Sequence, residues 1–251
     1  MPEFIHLRVK RQDGPNEHPR WEEFKIPYKS NMNVVSLLME LRKNPINTRG
    51  EKSTPVTWDC TCLEEVCGAC TMIINGQVRQ SCSALIDELI RENAPITLEP
   101  LSKFPVVRDL KVDRAILFEH LKKVKAWVNI DGTFDLGPGP KVAEKERRWM
   151  YEISRCMTCG CCYESCPNFN DKSKFIGPAP LAQVLRFNGH PTGGLDKDER
   201  LETIMGEGGI TDCGNAQNCV RACPKQIPLT TAIAKLNKDT TWHGLSSWFN
   251  K

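Results

Sequence analysis

The sequence predicts an α+β fold made of two unlike halves, and three observations carry that expectation. Apolar residues alternate through much of the first hundred positions, the signature of half-buried strands. From Glu144 onward the apolar spacing turns helical. Cysteines occur in three sets with different internal spacings, one set in the first half and two in the second. A chain of 251 residues is long enough for two domains, each with its own core.

The N-terminal elements read as a small sheet with one helix. Ile5-His6-Leu7-Arg8-Val9 alternates, Asp13-Gly14-Pro15-Asn16 turns, and Phe24-Lys25-Ile26 resumes the strand pattern. Asn33 is a candidate N-cap for a helix with Val34, Leu37, Leu38 and Leu41 on one face, ending near Asn44-Pro45. After a cysteine loop, Thr71-Met72-Ile73-Ile74 runs into Asn75-Gly76, a hairpin turn signal. Ile96-Thr97-Leu98-Glu99 is the expected last strand, which gives a first domain over 1–105. A connector over 106–143 holds a helix from Asp113 to Trp127, and regular structure stops at Asp131-Gly132 and Gly137-Pro138-Gly139-Pro140. A helical domain fills 144–251, with candidate helices at 144–155, 180–187, 197–205 and 229–237.

Composition narrows the function. Thirteen cysteines is a high and odd count, which disfavours a disulfide framework. Met1-Pro2-Glu3-Phe4-Ile5-His6 has neither a basic region followed by an apolar run nor a small-residue cleavage site. No stretch reaches the roughly 18 consecutive apolar residues of a membrane span. The expectation is a chain on the cytoplasmic side, with reduced thiols available for metal. The 34 Lys and Arg against 31 Asp and Glu give a formal charge of +3, too small to argue for nucleic acid. Thiolate ligation would shift even that balance toward acid.

The cysteine spacings carry the chemistry. Cys62-x4-Cys67-x2-Cys70-x11-Cys82 has the plant-type 2Fe–2S spacing, and Gly68 between the ligands permits close backbone approach. Cys156-x2-Cys159-x2-Cys162-x3-Cys166-Pro167 is the run that holds clusters in bacterial-type ferredoxins. It returns, one ligand short, as Cys213-x2-Ala216-x2-Cys219-x3-Cys223-Pro224, a weak internal repeat in which each copy gives a turn, a short helix and Cys-Pro. In two-cluster ferredoxins the fourth cysteine of each run serves the other cluster. That rule assigns Cys156, Cys159, Cys162 and Cys223 to a 4Fe–4S cluster, and Cys166, Cys213 and Cys219 to a second. Ala216 has no donor atom, so the second cluster is expected to be 3Fe–4S. The alternative is a fourth iron held by solvent oxygen or a remote side chain. Cys60 and Cys161 are left over, beside ligand positions, and are read as small packing residues.

Other readings fare worse. Zinc sites usually pair two cysteine pairs across a longer linker, unlike these consecutive runs. The five histidines (His6, His18, His120, His190 and His243) form no helical pair or cluster. There is no Gly-x-Gly-x-x-Gly and no nucleophile motif, so no substrate-oxidising site is expected on this chain and no residue is assigned a catalytic role. The chain reads as a carrier of single electrons. A soluble iron–sulfur sensor or cluster carrier is the competing class, but three ligand sets with no output module fit it poorly.

These motifs together resemble the iron–sulfur subunit of succinate dehydrogenase and quinol:fumarate reductase, respiratory complex II. The resemblance spans nearly the whole chain and is reinforced by Ser173-Lys174-Phe175-Ile176-Gly177-Pro178-Ala179 and by Cys223-Pro224-Lys225. It implies a β-grasp, plant-type ferredoxin domain followed by an all-α, bacterial-ferredoxin-like domain. It also implies a flavoprotein partner with covalent FAD, and a membrane anchor of cytochrome b type that carries haem and a quinone site. The chain would then lie peripherally on the cytoplasmic face of the inner (plasma) membrane, held there by its partners. Electrons would pass from flavin to 2Fe–2S, 4Fe–4S, 3Fe–4S and quinone, or in reverse in a fumarate reductase. Ubiquinone-linked relatives carry tryptophan where this chain has Asn170 and Asp171, and histidine where it has Gly214. Those departures, with Cys213-Gly214-Asn215 and His190-Pro191-Thr192-Gly193, resemble the menaquinone-linked bacterial type. Pro167 is the candidate border of the quinone pocket.

Overall fold

The computed structural model describes residues 3–90, 94–129 and 141–249. The expected breaks at Asp131-Gly132 and Gly137–Pro140 lie outside the described residues. In chain order the elements are β1 (Phe4–Arg11), β2 (Arg20–Pro27), α1 (Val34–Lys43), β3 (Thr71–Ile74), β4 (Gln77–Gln80), α2 (Ile86–Leu89), β5 (Ile96–Glu99), β6 (Val106–Arg108), β7 (Lys111–Val112), α3 (Ala115–Lys123), α4 (Glu144–Ser154), α5 (Cys161–Glu164), α6 (Pro178–Asn188), α7 (Lys197–Met205), α8 (Asn218–Arg221) and α9 (Leu229–Phe249). Packing divides the chain into two compact units. One comprises Met1–Arg114 and Met157–Glu164, the other Ala115–Cys156 and Ser165–Lys251.

The first unit is a five-stranded sheet in the order β2-β1-β5-β3-β4. β1 pairs antiparallel with β2 and parallel with β5, the arrangement of a β-grasp. Ile5, Leu7 and Val9 turn inward while His6, Arg8 and Lys10 turn out, as the period-2 pattern requires. α1 lays Val34, Val35, Leu37, Leu38 and Leu41 on the sheet. Its first turn is closed by Asn33, whose side chain accepts from Ser36 N at 2.8 Å. β3 and β4 meet across Asn75 (φ 49°) and Gly76 (φ 76°), the pair of positive φ angles that a tight hairpin needs.

Arg11 falls on the inward parity of β1 and is fully buried. Asp109, equally buried, accepts from Arg11 Nε at 2.8 Å and Nη2 at 3.2 Å, and from the Gln12 and Thr57 amides at 3.2 and 2.9 Å. Glu22, Ser53 and Thr54 accept the remaining guanidinium protons. This network fixes the β6–β7 hairpin against the end of β1. The hairpin was not foreseen, and with it the first unit reaches Arg114 rather than ending at 105. Residues 157–164 complete the unit. Glu164 accepts from Ser102 Oγ and from Lys103 N, and Tyr163 packs its ring on Phe104 at 6.3 Å.

The second unit is helical throughout its described residues. α6 is buried on nearly every side, from Pro178 to Leu185, and α4, α7 and α9 pack against it. The expected helix 113–127 is shorter, because Asp113 N bonds Pro105 O in the hairpin and Lys125 adopts a left-handed φ of 49°. The carbonyls of Lys125 and Trp127 instead accept from the buried Arg200, both at 2.9 Å. α9 continues twelve residues past the expected end at 237. Its buried face fades beyond Thr240, so apolar periodicity ends before the helix does.

The Arg11–Asp109 pair and the half-exposed Arg8–Glu23 pair give a direct contrast. Asp109→Ala leaves a buried guanidinium short of its main partner, and is expected to cost about 3–5 kcal/mol of stability in urea unfolding of the full chain. Glu23→Ala is expected to cost no more than about 1 kcal/mol. A loss at Asp109 no larger than at Glu23 would refute this account of the hairpin.

Candidate metal centres

The hairpin register builds the first centre. Cys70 precedes β3 and Cys82 follows β4, so pairing of Thr71 with Gln80 brings the two cysteines together despite their separation in sequence. Both are buried and pack with Val35, with Cys60 partly buried against them. Ser81 donates its backbone N–H and its hydroxyl to Cys70 O at 3.1 and 2.7 Å, and Asn33 Nδ2 holds Cys82 O at 2.9 Å.

Cys62 and Cys67 occupy the loop before β3. Leu63, Glu65 and Gly68 take left-handed φ values of 61°, 54° and 70°, which turn successive N–H groups inward. Cys62 Sγ accepts from the amides of Glu64, Val66 and Cys67 at 3.3–3.4 Å, and Cys67 Sγ accepts from Ala69 N at 3.4 Å. Those three amides lower the Cys62 thiol to about 6. Burial drives Cys70 the other way, to about 12. Four sulfurs therefore stand as two neighbouring pairs, Cys62 with Cys67 and Cys70 with Cys82, lying at an exposed rim and a buried floor. A thiolate-stabilising loop over two cysteine pairs fits a 2Fe–2S cluster, with two sulfurs for each iron.

The loop also touches residues 157–164 of its own unit. A Cβ added to Gly68 would lie 2.7 Å from Cys159 Cβ and 3.0 Å from Met157 O, so only glycine fits there. Arg114 donates both guanidinium arms to the carbonyls of Gly68 and Ala69, and its charge also acts on Cys159. The leftover Cys161 is fully buried and free. Its sulfur accepts from Gln80 Nε2 at 3.6 Å. The proximity of the two thiols lowers Cys159 to about 7 and raises Cys161. Gln80 and Arg114 were missed in the sequence. A polar residue at the buried end of β4, next to Ser81-Cys82, was the available signal for Gln80.

The two bacterial-type runs share a backbone as well as a spacing. Thr158 and Gly160 are left-handed in the first (φ 52° and 89°), and Asn215 and Gln217 at the same offsets in the second (51° and 61°). Each run then makes one helical turn at the same offset, α5 and α8, and closes beyond its Cys-Pro with a turn, Phe169 N to Cys166 O and Gln226 N to Cys223 O. Ala216 thus occupies in the second run the position Cys159 holds in the first. Within the second unit, Cys166, Cys213 and Cys219 line one cavity with Ala216 and Pro167. Burial and the nearby Cys166 raise Cys219 to about 11. Three sulfurs with a methyl group in the fourth place suit a cluster with three protein ligands. A second, open cavity of about 320 Å³ adjoins Ala216 and is lined by Asn215, Gln217, Val220, Arg221 and Thr230 but not by Pro167.

Among the described residues no group of three or more His, Cys, Asp or Glu side chains is drawn together closely enough to hold a metal ion. The Cys62 loop gives a test on the metal-free chain. A folded thiol below its ordinary 9.0 adds stability in full above that value, and loses it as pH falls through about 6. Alkylation of Cys62, followed by peptide mass spectrometry, should rise with a midpoint near pH 6, while Cys70 stays inert to pH 9. Equal rates at both thiols would contradict the donor arrangement.

Two family models match the chain. One describes a 2Fe–2S iron–sulfur cluster binding domain over residues 6–119, and the other a 4Fe–4S dicluster domain over residues 152–227. The succinate dehydrogenase iron–sulfur subunit of Bacillus subtilis (strain 168) is 62% identical over 245 residues, covering 98% of this chain and 96% of the relative. The fumarate reductase iron–sulfur subunit of Wolinella succinogenes is 28% identical over 246 residues, covering 95% and 98%. The fold matches a chain of the Mycobacterium smegmatis Sdh1 complex in the apo form, with a TM-score of 0.81, 21% identity and 96% of each chain covered. With this extent of identity and both cluster domains in place, the chain belongs to the family of iron–sulfur subunits of succinate dehydrogenase and fumarate reductase.

Proposed function

We propose that the chain carries single electrons between the FAD of a flavoprotein partner, where succinate and fumarate interconvert, and a membrane quinone, in the direction of succinate oxidation. The clusters, when bound, supply the one-electron steps. Cys62, Cys67, Cys70 and Cys82 hold 2Fe–2S. Cys156, Cys159, Cys162 and Cys223 hold 4Fe–4S, and Cys166, Cys213 and Cys219 hold 3Fe–4S. The observation that carries the last assignment is the matched backbone of the two runs, with Ala216 in the place of Cys159. Identity to the Bacillus subtilis succinate dehydrogenase subunit, well above that to the fumarate reductase subunits, favours succinate oxidation over the reverse reaction.

The exposure of each site supports this order of transfer. Leu63 and Val66 are 49% and 58% exposed on the Cys62 loop, an apolar rim suited to a protein partner bearing the flavin. The open cavity beside Ala216 has the size of a small-ligand pocket and suits a quinone ring, with Arg221 and Thr230 as polar contacts and Pro167 on the neighbouring sulfur-lined cavity. Gly214 leaves that side without the imidazole of ubiquinone-linked relatives, so menaquinone is the proposed acceptor. No helix among the described residues is long and apolar enough to cross a membrane. The proposed partner at the membrane is a cytochrome b type anchor with haem, holding the chain at the cytoplasmic face of the inner membrane.

Ala216→Cys tests the three-iron assignment in the intact complex. The paramagnetic signal of an oxidised three-iron cluster should be present in wild type and absent in the variant, with iron content raised by one atom per chain. An unchanged spectrum and iron content would refute the assignment at that position. Direction is tested by comparing succinate oxidation with fumarate reduction, using quinones of high and low potential. Faster fumarate reduction with a low-potential quinol would reverse the proposed direction.

A further inference from the structure

Arg114 follows the β6–β7 hairpin directly, and its placement is fixed from behind. Asp113 N bonds Pro105 O at 2.8 Å, and the buried Arg11–Asp109 pair holds the hairpin to β1. From there the half-buried side chain reaches the cluster loop, where Nη1 donates to Gly68 O at 2.5 Å and Nη2 donates to Ala69 O. Those two carbonyls lie between the ligands Cys67 and Cys70. Thr71 Oγ1 donates to the same Gly68 carbonyl at 2.8 Å and accepts from the buried Gln80 Nε2 at 2.7 Å, so the acceptor has a second, neutral anchor. Gly68 also meets the other ligand run within the first unit. A Cβ built on it would lie 2.7 Å from Cys159 Cβ and 2.8 Å from Cys159 Cα. One residue therefore touches the guanidinium through its carbonyl and Cys159 through its α-carbon. Holding two carbonyls requires only N–H donors, which a neutral amide could supply. Arginine adds a full positive charge, and directs it at main-chain carbonyls rather than at a carboxylate.

We propose that Arg114 is a fixed cation shared by two redox centres, raising together the reduction potential of the cluster on Cys62, Cys67, Cys70 and Cys82 and that of the cluster bound by Cys159. The inference rests on the assignment of those cysteines to the 2Fe–2S and 4Fe–4S clusters. The sign follows from charge. Reduction adds an electron to a thiolate-ligated core, and a nearby positive charge stabilises the more negative state. Because the residue that holds the cation touches both ligand runs, the shift has the same sign at both centres. The driving force between the two clusters is then largely preserved. What changes is the ease with which the pair takes electrons from the flavin partner.

The test uses the intact complex with Arg114→Gln and Arg114→Lys, read by iron and sulfide content and by potentiometric titration followed by electron paramagnetic resonance. Both variants should keep full iron and sulfide. Arg114→Gln keeps an N–H donor but loses the charge. It should cut the reduced-to-oxidised ratio at fixed ambient potential about tenfold at both clusters, a fall of about 59 mV for a one-electron couple. Arg114→Lys keeps the charge without the planar fork, and should recover at least half of that shift at each cluster. Unchanged potentials in Arg114→Gln would overturn the proposal, and so would a shift confined to one cluster. A shift that Lys reproduces in full would also overturn it, because the geometry of the fork and not its charge would then be responsible. Loss of iron or sulfide from either variant would make Arg114 a residue that builds the sites rather than one that tunes them, and would equally refute it. Cys67→Ala and Cys159→Ala separate the underlying assignment: retention of the 2Fe–2S signal in the first, or of the 4Fe–4S signal in the second, would refute the ligand sets, whatever Arg114 does.

Discussion

The structure is organised around a requirement of charge: sulfur ligands that carry negative charge must be met by donors. The Cys62 loop meets it with backbone, aiming three amides at one sulfur. That geometry forces Leu63 and Glu65 into the left-handed region, at a cost of about 1–3 kcal/mol each. Hydrogen bonds to a charged acceptor are stronger than those to a neutral one. The strained loop is therefore better compensated when its sulfur is a thiolate than when it is a thiol. Conformation and ligation select each other.

Around that loop the remaining structure acts as a rigid frame. The β3–β4 register sets Cys70 beside Cys82, and the capped start of α1 holds Cys82 through Asn33. At the far end of β1, Arg11 and Asp109 form a buried pair whose desolvation is offset only because every guanidinium proton has an acceptor. Such a pair contributes more to uniqueness of arrangement than to stability, since it permits one placement of the β6–β7 hairpin. The last piece of the frame, residues 157–164, arrives late in the chain. The first unit is thus incomplete until Ala115–Cys156 of the second has been synthesised.

Much of this was legible in the residues themselves. Strand alternation at Ile5–Val9, the Asn33 cap, the Asn75-Gly76 turn and the helices at 144–155 and 197–205 rest on local signals, and the structure places each within a residue or two. The two cluster-binding domains were legible too, because cluster loops need short fixed spacings. What was hidden depends on partners distant in sequence. Arg11 reads as one more surface cation on an alternating strand, and only Asp109, ninety-eight residues on, makes it a core residue. Arg200 ends the α3 region from another helix altogether. Cys161 meets Gln80, a polar residue on a buried parity whose partners no spacing rule reveals. The domain limits were set at 105 and 143 for the same reason, since neither the β6–β7 hairpin nor the return of residues 157–164 has a local signature.

The glycine at position 68 has a kinetic meaning. Electron tunnelling weakens exponentially with the gap between donor and acceptor, so the thickness of the protein between two redox loops sets a clock. At Gly68 the Cys62–Cys70 loop meets the backbone of Cys159 with no side chain in between, and even a methyl group would have to displace it. The chain therefore places its smallest residue where one loop's backbone faces another's. The absence of a single carbon there keeps the intervening medium as thin as a polypeptide allows.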